Sequence, residues 1–77
     1  MKIDKYIGKR YRGLGRNLKM SDIEIEKIEM QYRDFGPDEI VHQVLNKWRE
    51  MNGSKAKKSV LATALCRADL ASVAQKL

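Results

Sequence analysis

Seventy-seven residues with one cysteine, one histidine and a net charge of +6 make at most one small domain. Cys66 alone excludes an internal disulfide, and no apolar run approaches the roughly 20 residues that cross a bilayer. The basic start is not followed by the apolar block of a secretory leader, so a reducing, cytoplasmic setting is expected.

The charge is banded. Met1 to Lys19 holds seven basic residues against Asp4, a net +6. Met20 to Glu39 holds seven acids against Lys27 and Arg33, a net −5. Ile40 to Leu77 returns to +5, with seven basic residues against Glu50 and Asp69. A dedicated polyanion binder has little reason to carry so acidic a middle. A module that pairs with copies or relatives of itself benefits from surfaces of both signs.

Helical periodicity runs through the chain, and no strand pattern competes with it. Ile7, Tyr11, Leu14 and Leu18 step by four, three and four, one apolar stripe of a helix expected over Asp4 to Leu18. Lys5, Lys9, Arg12, Arg16 and Lys19 step similarly and, at about 100° per residue, lie nearly opposite. Gly13 and Gly15 inside this helix cost about 1 kcal/mol each relative to alanine, which points to close packing against a neighbour.

Ser21 followed by Glu24 has capping-box spacing and opens a second helix. Ile25, Ile28 and Tyr32 form its inward stripe, whereas Ile23, Lys27 and Met30 face away. Isolated exposed apolar side chains are common, and the alternative is a contact surface. Gly36-Pro37 cannot continue a helix, so Arg33 to Asp38 has room for one short turn only. The next helix starts near Asp38 and presents Ile40, Val41, Val44, Leu45 and Trp48 on one face. Asn52 or Gly53 can take its left-handed cap. After a basic loop, Leu61 and Leu65 with small alanines predict a fifth helix over Ser59 to Arg67. Asp69 can cap a last short helix that turns Leu70, Val73, Ala74 and Leu77 inward. The fold class is all-α.

Catalytic chemistry finds little support. One histidine, His42, and one cysteine, Cys66, cannot build a zinc site, and Cys66 reads as a small core filler. The acids at 22 to 29 read as a solvated helix face without a partner that would raise a carboxylate's pKa. "GLGRNL" lacks the preceding strand and third glycine of a dinucleotide site, and "GKRYRG" lacks the ending of a phosphate loop. No enzyme, metal or cofactor is expected.

The stretches "YRGLGRNLKMSDIEIEKIEMQY", "VLNKWREMNGSKA" and "LATALCRADLASVAQKL" together resemble the death domain over nearly the whole chain. The resemblance rests on Tyr11 and Leu14-Gly15, the turn Leu18-Lys19-Met20-Ser21, and Ile25, Ile28 and Tyr32. It continues through Val41, Leu45 and Trp48, then Leu61, Ala64 and Leu65, and ends on Val73-Ala74 and Leu77. It is closest in look to adaptors of the Fas-associated, RIP-kinase or insect immune-deficiency type. Four positions depart from the family pattern: Tyr11 replaces a frequent tryptophan, Lys19 a usual glycine, and Lys57-Lys58 a Thr-Val-like pair.

The resemblance implies a six-helix antiparallel bundle with a short or degenerate third helix. It implies a non-enzymatic module, one part of a longer signalling protein, that binds other death domains in apoptotic or innate-immune complexes. Three asymmetric contacts are implied. The first sets an acidic surface on the second helix (Asp22, Ile23, Glu24, Glu26, Glu29, Met30) against a basic one on helices one and four (Lys9, Arg12, Arg16, Lys47, Arg49). The second sets Arg49, Asn52, Lys55 and Lys57 against the turn around Asp69. The third involves Arg33, Asp34 and Phe35. Membrane insertion is not expected. The alternative from another class is a small basic nucleic-acid binder, which would use the first helix on phosphates and weaken steeply with salt. The acidic second helix and the lack of a helix-turn-helix register with polar base readers count against it.

Overall fold

Gly8 breaks the first helix. A computed structural model describes residues 4–76, and in it α1 (Asp4–Ile7) passes through a 3-10 turn (Gly8–Arg10) into α2 (Tyr11–Asn17). Gly8 has φ +55°, a conformation that side chains disfavour, so the continuous helix expected over Asp4 to Leu18 is interrupted. Ile7 and Tyr11 nevertheless both reach the interior.

The end of α2 turns on a residue where glycine would be the easiest choice and this chain has lysine. Lys19 N–H donates to the Arg16 carbonyl and Met20 N–H to the Gly15 carbonyl, both at 3.0 Å. This is the Schellman closure, and it needs a left-handed residue, here Lys19 at φ +65°. The same closure ends α5 (Lys58–Arg67): Asp69 N–H bonds to Cys66 and Leu70 N–H to Leu65, with Asp69 at φ +62°. Asp69 therefore terminates α5 and does not cap the last helix, α6 (Ala71–Ala74), whose N-cap is Leu70. In both closures the residue after the left-handed one, Met20 or Leu70, is driven into the core.

Ser21 caps α3 (Asp22–Tyr32), its hydroxyl accepting the Glu24 N–H at 3.2 Å. The expected third helix is a single 3-10 turn, Arg33–Phe35. Gly36, at φ +91°, and Pro37 then start α4 (Pro37–Asn52), where proline's missing N–H costs nothing. Gly53, at φ +53°, ends α4 and leads through a further 3-10 turn (Gly53–Lys55) to α5, which begins one residue before the expected Ser59. With α1 and α2 counted as halves of one broken helix, the described residues hold five helical rods. The expected count of six is reduced because residues 33–35 are too few, before Gly36-Pro37, to close an α-helical turn of their own.

Helix α4 is central, packing against α1, α2 and α3, while α2 also packs on α5 and α5 on α6. The core joins Tyr11, Leu14, Leu18, Ile25, Val41, Leu45, Trp48, Leu61, Leu65 and Val73 to Ile7, Met20, Ile40, Val44, Ala64 and Leu70. Ile28 and Tyr32, expected fully inside, are only partly buried. They form the floor of a cleft between α3 and α4 that stays open on its outer side. Leu77 lies outside the described residues. Cys66, expected as core filler, is exposed, because Leu61, Ala64 and Leu65 already occupy the inward side of α5.

Candidate protein-interaction surfaces

The first and second helices neutralise each other along their shared edge. Helices α2 and α3 are joined by the short Leu18–Ser21 turn, which brings residues on either side of it face to face. Arg16 Nε lies 3.0 Å from Asp22 Oδ1, and Arg12 Nη2 lies 2.6 Å from Glu29 Oε1. The Tyr11 hydroxyl donates to the other Glu29 oxygen. These residues were assigned to opposite partners of one intermolecular contact, and the structure pairs them within one chain. The signal for this was the basic stripe of α2 and the acids of α3 standing on either side of one short turn.

The seam shifts protonation. The Tyr11 hydrogen bond, and then Arg12, hold the Glu29 carboxyl below its ordinary value near 4.5. Burial, and then the Glu29 carboxylate, push the Tyr11 hydroxyl up. The Glu29 hydrogen bond likewise raises Arg12. A depressed carboxyl stabilises the fold above the ordinary range, and that contribution is lost as pH falls through the folded value. Thermal midpoints below about pH 4.5 should therefore fall more steeply for the wild type than for Glu29→Gln. Parallel acid limbs would remove Glu29 from the seam.

Outside the seam, α3 carries Ile23 and Met30 on its outward line, 66% and 74% exposed, with exposed Glu26 and Lys27 between them. Glu24 departs from this surface. It lines the α3–α4 cleft with one carboxylate oxygen buried and without a hydrogen-bond partner, so the return arm of the capping box is not made.

The five basic residues of the first contact do not gather into one patch. Lys47 lines the same cleft as Glu24, on the α3 side of α4. Arg49 lies on the opposite flank, beside Lys57 and Lys58 at the start of α5. The two are two residues apart, about 200° around a helix, so no single face holds both. Lys9 is exposed on the first 3-10 turn and makes no ion pair among the described residues.

In the second contact, Lys55 and Lys57 are exposed, and Asn52 is half-buried with its amide donating to the Trp48 carbonyl at 2.8 Å. Asp69 protrudes from the α5–α6 turn, where Arg10 Nη1 reaches its backbone carbonyl at 3.3 Å and its carboxylate at 3.8 Å. In the third contact, Arg33, Asp34 and Phe35 are all exposed, and the Phe35 ring lies 6.0 Å from that of Tyr32.

Among the described residues no cluster of three or more His, Cys, Asp or Glu side chains is placed to hold a metal. No described helix is long and apolar enough to cross a membrane. What the surface offers is shape and charge: an apolar ridge on α3 and a polar cleft between α3 and α4.

The profile of the family described as the death domain matches residues 2–77. The chain belongs to the death-domain family. No individual curated protein matches it at a significant level. Death domains are protein–protein interaction modules of death-domain signalling rather than enzymes, and their partners are other death-fold domains. The surfaces of this death domain are therefore candidates for such partners. Its paired α2–α3 seam still leaves Ile23, Met30, Glu26 and Lys9 open to them, together with the exposed residues of the second and third contacts.

Proposed function

We propose that this death domain is a non-enzymatic, cytoplasmic adaptor module that binds other death domains and helps assemble an apoptotic or innate-immune signalling complex. The observation that carries the reading is the outward line of α3. Ile23 and Met30 stand in solvent on one side of a helix whose Asp22 and Glu29 are already paired within the chain. Apolar anchors within a charged rim are the usual energetic centre of a protein interface. Glu26 and Lys9, which have no ion pair among the described residues, would then set orientation and encounter rate more than affinity.

Reversing Arg12 and Arg16 would disturb the fold as well as any contact, so the test belongs on exposed residues that fold without help. The domain is used to capture partners from cytosol, read by mass spectrometry. A death-domain protein is the expected capture. Ile23→Arg with Met30→Glu should lower its recovery about tenfold or more, a loss of at least about 1.4 kcal/mol of binding, with an unchanged thermal midpoint. Unchanged recovery would discard the α3 ridge as the contact. Capture of RNA or DNA alone would overturn the reading in favour of the nucleic-acid alternative.

A further inference from the structure

The cleft between α3 and α4 collects polar side chains that the fold itself does not use. Glu24, Lys27 and Gln31 line it along one side of α3, and Gln43, Lys47 and Glu50 along one side of α4. Among the described residues none of these six side chains makes a hydrogen bond or an ion pair. The other edge of α3 differs, since its Asp22 and Glu29 pair with Arg16 and Arg12.

Glu24 carries the most weight. One of its carboxylate oxygens is buried and has no hydrogen-bond partner. A carboxylate oxygen withdrawn from water loses hydration that only a donor can replace. Lys27 and Lys47 line the same cleft, and neither forms an ion pair with it. The donor is therefore best supplied from outside the chain.

The shape of the cleft narrows the choice of donor. Ile28 and Tyr32 give it an apolar floor, and the amides of Gln31, Gln43 and Asn46 stand on its walls. A guanidinium is planar, weakly hydrated on its faces, and carries five N–H donors at its edge. It can lie on such a floor, fork onto Glu24 and reach the amide carbonyls. An ammonium is a compact, strongly hydrated point charge and matches such a floor less well. Lys27 and Lys47 are exposed at the rim and would repel a ligand that was only a cation. A carboxylate on the same ligand turns that repulsion into attraction. At about 360 Å³ the cleft suits one small molecule rather than a folded partner.

We propose that the α3–α4 cleft binds a small guanidino acid, an arginine-like molecule with charges of both signs. Glu24 takes the guanidinium, Lys27 and Lys47 take the carboxylate, and Glu50 takes an α-ammonium where the ligand has one. The site uses neither Ile23 nor Met30, so it stands apart from the partner contact on the outward line of α3.

The test is a titration of the isotope-labelled 77-residue chain with L-arginine at low salt, followed by amide chemical shifts. The shifts should saturate with a dissociation constant on the order of 1 mM, ordinary for so small a ligand. They should be largest on the sides of α3 and α4 that face the cleft. L-Citrulline, with a neutral urea in place of the guanidinium, should bind about tenfold more weakly or worse, and so should agmatine, which lacks the carboxylate. Glu24→Gln should weaken L-arginine about tenfold without lowering the thermal midpoint, because the charge it removes has no donor within the fold. The pair Lys27→Met, Lys47→Met should weaken L-arginine and leave agmatine no weaker.

Shifts that scatter over the surface without saturating would overturn the proposal, as would L-citrulline binding as tightly as L-arginine. Equal binding of agmatine would also overturn it, since the cleft would then be a general cation site. A folded Glu24→Gln variant that binds L-arginine unchanged would place the ligand elsewhere.

Discussion

Replacing Trp48 with alanine is expected to remove on the order of 3–5 kcal/mol of stability, read by urea or thermal denaturation. Trp48 is 2% exposed on the central helix and packs where α4 meets Leu61 of α5. Truncation deletes the largest apolar surface in the core and leaves a hollow that the rigid end of α4 cannot close. The Asn52 side chain is bonded to the Trp48 backbone carbonyl, which holds that last turn in place. For a domain of this size each kcal/mol shifts the midpoint by roughly 4–8 °C, so a fall on the order of 15–30 °C is expected. Small domains have only about 5–15 kcal/mol in total, and the variant should be partly unfolded at physiological temperature. A loss below about 1 kcal/mol would place the tryptophan outside the core.

Substituting valine for Gly15 should cost about 3 kcal/mol, the upper part of the usual range for overpacking. A Cβ on Gly15 would stand 2.7 Å from Ile25 Cδ1 and 3.2 Å from its Cγ1, with Val44 Cγ1 at 3.8 Å. Ile25 is 1% exposed and has no room to withdraw. Alanine there should cost less, since relief of the glycine helix penalty, about 1 kcal/mol, offsets part of the clash. The diagnostic measurement is Gly15→Val combined with Ile25→Val, which removes Cδ1. The double variant should be more stable than the sum of the single losses by about 1 kcal/mol or more, a coupling expected only of groups in contact. Strict additivity would mean that α2 and α3 approach elsewhere. Gly13 makes no such demand, its nearest atom being the Ala68 Cβ at an ordinary 3.8 Å.

Most of the fold was legible as periodicity. The inward steps of Tyr11, Leu14 and Leu18, and of Val41, Leu45 and Trp48, are properties of helix geometry acting on residue order. They hold whatever the helices pack against. Ile28 and Tyr32 were placed on the right side of α3, but their depth depends on how closely α4 lies over them, which periodicity does not encode. Leu70 was placed inward, whereas Met20, just past a helix end, was not placed in the core. Their burial follows from left-handed closures at Lys19 and Asp69, residues without the glycine that usually announces such a turn.

The charge pattern shows the same division. Sequence alone determined that this is a helical chain with basic, acidic and basic bands, and that its motifs resemble the death domain. Only the tertiary structure decided which charges remain for a partner. Folding α2 against α3 satisfies Arg12 with Glu29 and Arg16 with Asp22, because a short turn lays the two helices side by side. It leaves Lys9 without an ion pair among the described residues and sets Lys47 and Arg49 on opposite flanks of α4. Helical order along a chain is local, whereas the pairing of charges depends on distance across space. The first can be read from residue spacing, and the second exists only once the helices have packed.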